Sequence, residues 1–408
     1  MLFERLGHRV LKTKDIARLF LWAPKALLKS LMLWPEKGMN LLLMRAYYIF
    51  LLSINLFVTY GIVQYTITYK DQFDKFAYGL CVCIIPILHL LKGPATCYNI
   101  KKMDLLVEQV MQYFWPYDLL GGHSQKYIES LFSYLKTLQL SFFILGLLYI
   151  GTILSSPLIL ATERSLPFPA KFDFDHTVSP VYEIMYVIQS FFIIFVAAIL
   201  GLGVDLFVLA MCACAASQFK LVGHCFSLLG TPAVKNVNHK LDNMFSAEFC
   251  GEQDENKKLF IRCVKHQERL FRFVKDLNEA FNFIELGQLL LSLFGVCLNA
   301  FILLSNSALA QSLGSSLLAL GFTLQLFLDC IIGTELVYQA NLTSDYLFNS
   351  NWWSLDKKLK KDIAFVLQHS QRVQQLSAYK LYDMNMTSWM KVLKLAFSLF
   401  TVLNRVLK

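Results

Sequence analysis

Residues 286–328 read LGQLLLSLFGVCLNAFILLSNSALAQSLGSSLLALGFTLQLFL, without one Asp, Glu, Lys or Arg. A helix crossing the hydrocarbon core of a bilayer needs about 20 predominantly apolar residues. The run is too long for one crossing and fits two. Its middle carries Ser305, Asn306 and Ser307, then Gln311, Ser312 and Gly314, a cluster of the kind that punctuates helices. The run therefore divides into spans over 286–304 and 312–336, and the chain reads as a membrane protein.

Working outward, Arg45 and Lys70 bracket a clean stretch over 46–69, and Lys75 and Lys92 bracket a shorter one over 76–91. Residues 137–162 and 184–204 carry no Asp, Glu, Lys or Arg, and the latter stays apolar past Asp205 to about 219. A last segment, 386–406, is weaker because Lys391 and Lys394 lie in its first half. The expectation is an all-α membrane protein of seven spans. Composition agrees: 56% of the 408 residues are hydrophobic and 16% charged, against about 25% charged in ordinary soluble domains. The net charge of +9 then marks cytoplasmic loops and not a nucleic-acid partner.

Lys and Arg bookkeeping sets the orientation. With the N-terminus inside, the inner segments 1–45, 92–136, 218–278 and 338–385 hold 30 Lys and Arg, and the outer segments hold 6. The N-terminus is expected in the cytoplasm and the C-terminus outside. This is opposite to the G-protein-coupled receptors, and none of the ten Cys falls in an outer loop. Residues 1–38, basic and broken by Pro24 and Pro35, read as a cytoplasmic amphipathic arm on the membrane surface and not as a signal peptide. Residues 39–350 form a six-span bundle with intracellular helical extensions at 92–136, 218–285 and 337–350. Residues 351–385 form a cytoplasmic anchor helix, and 386–408 the seventh span.

The inner segments look structured. Leu259, Cys263, His266, Leu270, Phe273, Leu277 and Phe281 recur at helical spacing, and 101–115 and 355–379 are similar. Such stripes pack together or lie on the membrane; packing into a cytoplasmic bundle is the preferred reading. The sequons at Asn341 and Asn385 fall inside and are not expected to carry glycans.

Catalytic and metal chemistry is weakly represented. The thiols of Cys81-x-Cys83 and Cys212-x-Cys214 stand about 200° apart on a helix and cannot share one metal. His89 and His266 read as packing or cap residues. Gly201-Leu-Gly203 lacks a third Gly and a preceding strand, and reads as a site of close helix packing. No cofactor and no metal is expected. Asp205 is either a buried functional charge or the point where the helix leaves the inner leaflet; the second is preferred, as it is for Asp329 and Glu335.

In the seventh span, Lys391, Lys394, Ser398, Thr401, Arg405 and Lys408 form a polar stripe on one helix face. Such a stripe suits a bundle interior or water. Val402 and Val406, one turn apart, could form an apolar constriction of the kind that gates channels by dewetting. The alternatives are a helix buried against its own bundle, or lysines that simply lie in the cytoplasm.

The order and spacing of several motifs resemble the insect odorant receptors. They are Leu33-Trp-Pro35 before the first span, His266-Gln-Glu-Arg-Leu-Phe-Arg-Phe273 leading into the fifth, and Leu342-Thr-Ser-Asp-Tyr346 with Asn351-Trp-Trp353 after the sixth. The stretches 370–378, 386–394 and 396–403 complete them, so the resemblance runs from about residue 30 to the end. It implies a tuning subunit of a tetrameric, odour-gated, nonselective cation channel that assembles with a shared co-receptor. It implies that seventh spans line one central pore, with Val402 and Val406 as gate and Ser398, Asn404 and Arg405 nearby. Phe397 stands where Tyr is common in that family, and Arg405 would be repulsive in a homotetramer, which favours a mixed one. The related gustatory receptors usually end in a Gln-Phe pattern that is lacking here.

An apolar volatile needs an enclosed, aromatic-rich pocket with few polar anchors. The expected site lies in the outer half of the bundle, among spans two, three, four and six. Its candidate residues are Phe76, Leu80 and Cys83; Phe143, Gly146, Tyr149 and Ile150; Tyr186, Ile188, Gln189 and Phe192; and Leu317, Leu318 and Phe322. The competing readings are a gustatory-type channel, a G-protein-coupled receptor, which an extracellular N-terminus would support, and a transporter, which would show matching halves. An enzyme fits least.

Overall fold

The structure is a computed structural model that describes residues 13–34, 41–159, 164–244, 254–304, 309–370, 375–379 and 381–406. Eleven α-helices carry the described fold. They are α1 Thr13–Ser30, α2 Leu41–Thr68, α3 Phe73–Tyr113, α4 Gly122–Ile159, α5 Val181–Phe191, α6 Gly201–Ser227, α7 Val234–Asp242, α8 Glu255–Leu304, α9 Leu309–Phe348, α10 Lys357–Ser370 and α11 Met386–Val406. A π-helical segment, Phe192–Leu200, joins α5 to α6 in one continuous rod. Among the described residues, six helices are long and apolar enough to cross a membrane: α2, α3, α4, the α5–α6 rod, α8 and α9. The seventh, α11, is 21 residues long, and Lys391, Lys394 and Arg405 lower its apolar character.

Several helices are far longer than a bilayer requires. At 1.5 Å per residue, the 41 residues of α3 reach about 60 Å and the 50 of α8 about 75 Å, against a core of about 30 Å. Their charged halves must continue beyond the membrane, where they pack. Leu259, Cys263, His266, Leu270, Phe273, Leu277 and Phe281 are all buried, as are Met103, Leu106 and Val110 of α3 and Leu359 and Ile363 of α10. The α3 and α8 stripes face each other and the largely buried second half of α6, and α10 packs on α9, so packing and not the membrane surface satisfies them. Asp254 caps α8, its Oδ1 accepting the Asn256 N–H at 2.9 Å.

Two differences from the sequence reading have clear causes. The arm is not simply laid on the membrane. Leu21, Leu28, Leu31, Leu33 and Trp34 are buried in the main core, and Trp34 meets Phe207 of α6 with ring centroids 5.8 Å apart. Gly203 permits this approach, because a side chain there would sit 3.2 Å from Leu28. The helical pattern over 355–379 also ends early. After α10 the chain forms a short antiparallel hairpin, β1 Ser377–Ala378 and β2 Tyr382–Asp383, whose Ser377 N–H donates to Asn278 Oδ1 at 2.7 Å. The rod carrying Asp205 continues to Ser227, buried almost throughout.

Candidate functional site

A cavity of ≈ 290 Å³ opens between α3, α4, the π segment, α6 and α9, the four spans that the sequence nominates. Of the fourteen nominated residues, Phe143, Gly146, Tyr149, Ile150, Leu317, Leu318 and Phe322 line it. The remaining seven do not. Spans three and four run past the cavity where expected, but span two lies deeper: its lining residues are Ile85, Leu88, His89 and Lys92. Phe76, Leu80 and Cys83 lie earlier, from about two and a half turns to about half a turn before Ile85, where α3 packs on α2; a side chain at Gly79 would collide with Thr66 of that helix. In the rod, the lining residues belong to the π segment and the start of α6 and not to α5.

Three of the α5 and π candidates act on the cavity indirectly. Gln189 Oε1 accepts the Phe168 N–H at 2.8 Å and its Nε2 donates to the Phe168 carbonyl at 3.3 Å. Phe192 meets the Phe168 ring edge-on, centroids 6.2 Å apart. Phe168, from the loop after α4, is fully buried and lines the cavity. The loop thus folds back into the bundle, and Lys171 N–H anchors it to the Gly61 carbonyl at 2.9 Å. Tyr186 donates its hydroxyl to the Leu154 carbonyl, tying α5 to α4; Ile188 packs against the core. Gln189 is therefore satisfied by backbone, not held for a ligand.

The sequence also missed Leu27 of α1, Phe168, and a polar end. At that end Lys92 Nζ lies 2.6 Å from Asp205 Oδ1, and Gln325 Nε2 donates to Asp205 Oδ2. Beyond the wall, Gln288 Nε2 donates to Asp329 Oδ2 at 2.9 Å. Glu285 and Asp329 interact electrostatically with the pair. Asp205 and Asp329 are thus partnered side chains within the helix bundle. Both are interior charges, because α3, α8 and α9 pack around them and the helices run on below. Glu335 is likewise held inside, accepting from Tyr127. His89, on the cavity wall, bonds the Ile85 carbonyl through Nδ1 at 2.6 Å, as a packing residue of α3 does. The Cys81, Cys83, Cys212 and Cys214 thiols are buried and unbridged, and no metal-binding cluster occurs among the described residues.

The polar stripe of α11 lies on its outer side. Val392 and Ala396 are buried against the bundle, while Phe397 is 68% and Val402 59% exposed; Lys391, Lys394, Ser398 and Arg405 are exposed with them. The helix is seated by Asn385, whose Oδ1 accepts the Ser388 N–H at 2.8 Å, and by Met386 N–H donating to Thr334 Oγ1 at 2.9 Å. The side chains of Asn404 and Val406 lie outside the described residues, as does Lys408.

The comparison with known proteins settles the family. The family model for the 7tm odorant receptor matches residues 72–397. The chain belongs to the insect odorant receptor family. It is 25% identical over 256 residues to odorant receptor 30a of Drosophila melanogaster, covering 61% of each chain. It is 23% identical over 298 residues to odorant receptor 83a of the same fly, covering 63% of this chain and 64% of that one. The match thus spans about three-fifths of these relatives' length. The fold also matches the olfactory receptor OR5 of Machilis hrabei, with a TM-score of 0.79, 14% identity, and coverage of 96% of this chain and 100% of that one. A second structure of OR5, in complex with eugenol, matches with a TM-score of 0.78 at 15% identity, covering 95% and 99%. This odorant receptor is a multi-pass plasma-membrane protein of a family of ligand-sensing receptors.

Proposed function

We propose that this odorant receptor is a tuning subunit of an odour-gated, nonselective cation channel. It binds a volatile in the cavity and opens a central pore together with a co-receptor in a mixed tetramer, in an olfactory neuron. The observation that carries the reading is the cavity itself: apolar, aromatic-lined, roofed by Phe168, and polar at one end only. That is the chemistry a small volatile needs. The capture of eugenol by OR5, a protein of the same fold, supports it.

In this reading the N-terminus is cytoplasmic and the seventh span lines the pore. The exposed face of α11, with Val402 on it, meets the neighbouring subunits, and Val402 and Val406 form the gate. Residues 351–385 serve as part of a cytoplasmic anchor. Binding opens the pore only to the extent that the ligand favours the open state over the closed one.

Whole-cell current against a panel of volatiles tests the proposal, with the chain expressed alone and with an odorant co-receptor. Odour-evoked cation current only with the co-receptor is expected. Current from the chain alone would overturn the tuning-subunit assignment, and silence in both with surface expression confirmed would overturn the odour-gated one.

A further inference from the structure

The polar end of the cavity has a direction. Both Lys92 and Asp205 line it, but Lys92 is fully buried while the Asp205 side chain keeps 11% of its surface, so of the two it is the carboxylate that retains accessible surface. Lys92 and Gln325 each donate one hydrogen bond to Asp205, yet a carboxylate offers about four acceptor sites. Gln325 spends an N–H on this contact, and its carbonyl oxygen is a second acceptor at the same end. The site presents acceptors that call for a donor.

We propose that this end is a hydroxyl subsite, and that the preferred ligands are small alcohols or phenols whose O–H donates to Asp205. The inference rests on the cavity being the odorant site. An ether, ester or hydrocarbon of the same shape strips water from the carboxylate and returns nothing, and an unsatisfied buried acceptor is costly. Sites built to bond a hydroxyl reject analogues lacking it far more strongly than sites that sense one methylene. An amine also donates, but its ammonium would sit beside Lys92 Nζ, which already neutralises Asp205 from 2.6 Å. Glu285 and Asp329 do not line the cavity and offer that second cation no direct partner.

The test uses isomeric pairs on the full chain co-expressed with the co-receptor: 1-octanol against heptyl methyl ether, and 2-phenylethanol against benzyl methyl ether, with octylamine as the cation arm. The alcohol is expected to be about ten- to hundredfold more potent than its ether and more potent than the amine. In the apolar double variant Lys92→Leu/Asp205→Leu the alcohol-to-ether ratio should collapse towards one, the ether gaining potency as the unsatisfied carboxylate is removed. Should that variant fail to reach the surface, Gln325→Leu withdraws a donor from Asp205 Oδ2, leaves the ion pair intact, and should widen the ratio. Ethers or amines as potent as alcohols in the wild type, or an unchanged ratio in the variants, would overturn the subsite while leaving odour gating intact. Silence to every volatile, with both subunits at the surface and no ligand-induced thermal shift of the purified chain, overturns both.

Discussion

His266 lies flat on Trp115, ring centroids 4.4 Å apart and planes 8° from parallel. Gln218 locks the pair. Its Oε1 accepts from the Trp115 N–H at 2.8 Å and meets His266 Nε2 at 2.9 Å, and its Nε2 donates to the Trp115 carbonyl at 3.0 Å. The amide orientation leaves His266 as the donor through Nε2, which is the neutral tautomer. This contact joins the end of α3, the second half of α6 and the first half of α8.

Burial, with Arg269 as a second cause, pulls the His266 pKa down from 6.5 to about 3. The sign follows directly. Between those values the unfolded chain binds a proton that the folded one refuses, so folding stability falls as pH drops from 6.5 towards 3. The slope approaches about 1.4 kcal/mol per pH unit. Thermal unfolding of the purified chain at pH 7 and pH 5 should show the loss, and His266→Gln should lower stability at pH 7 but flatten the dependence. An equally steep pH dependence in the variant would refute the assignment.

Gly333 sits beneath the turn that leads into α11, where an added Cβ would collide with the Met384 carbonyl. The obstacle is backbone and cannot rotate away. Gly333→Ala should therefore displace the seat of α11 formed by Thr334 and Met386, at a cost of about 1–3 kcal/mol. Odour-evoked current should be lost or strongly reduced while surface expression is largely kept. Gly151→Ala, on α4 with open space around it and outside the cavity lining, is the control and should be near neutral.

These residues also show what could be read in advance. The stripe from Leu259 to Phe281 was legible because a long amphipathic helix with charges on its other faces has few alternatives. The two helices within 286–328 were legible for the same reason of length. Depth was not legible: hydropathy gives the extent of a span but not which turn faces a cavity, so α4 and α9 yielded lining residues while α3 was placed too shallow. Phe168 was invisible because nothing in a loop announces that it folds back to meet Gln189. The pairing of Asp205 was not legible because a charge near the end of an apolar run looks only like a boundary, and its partner Lys92 is far away in sequence.

The roof offers a direct check. Gln189→Leu leaves the Phe168 N–H and carbonyl without their partners, a loss of about 1–3 kcal/mol, and frees the ring from its seat. Potency should fall for all volatiles together, whatever their head group, with reversal potential unchanged. Tyr149→Ala, which cuts into the cavity wall, should instead re-rank ligands by size. Unaltered dose–response curves in both would refute the cavity as the ligand site.

The face of α11 can be mapped by single cysteines. Val402 and Phe397 stand out from the chain, whereas Val392 and Ala396 are buried against it. A dewetted ring at a gate admits water only when open. If the exposed side meets the pore, a thiol at Val402→Cys should be modified by a small charged methanethiosulfonate reagent faster during odour application than before it, and modification should change the current. Ala396→Cys should stay unreactive in both states, since its wall is α8 and α9 and not water. Val402→Ala, a smaller apolar side chain at the same height, should raise the odour-free current by weakening the closed constriction. Equal reactivity at Val402 with and without odour, together with an unchanged basal current in Val402→Ala, would place the gate elsewhere on the helix.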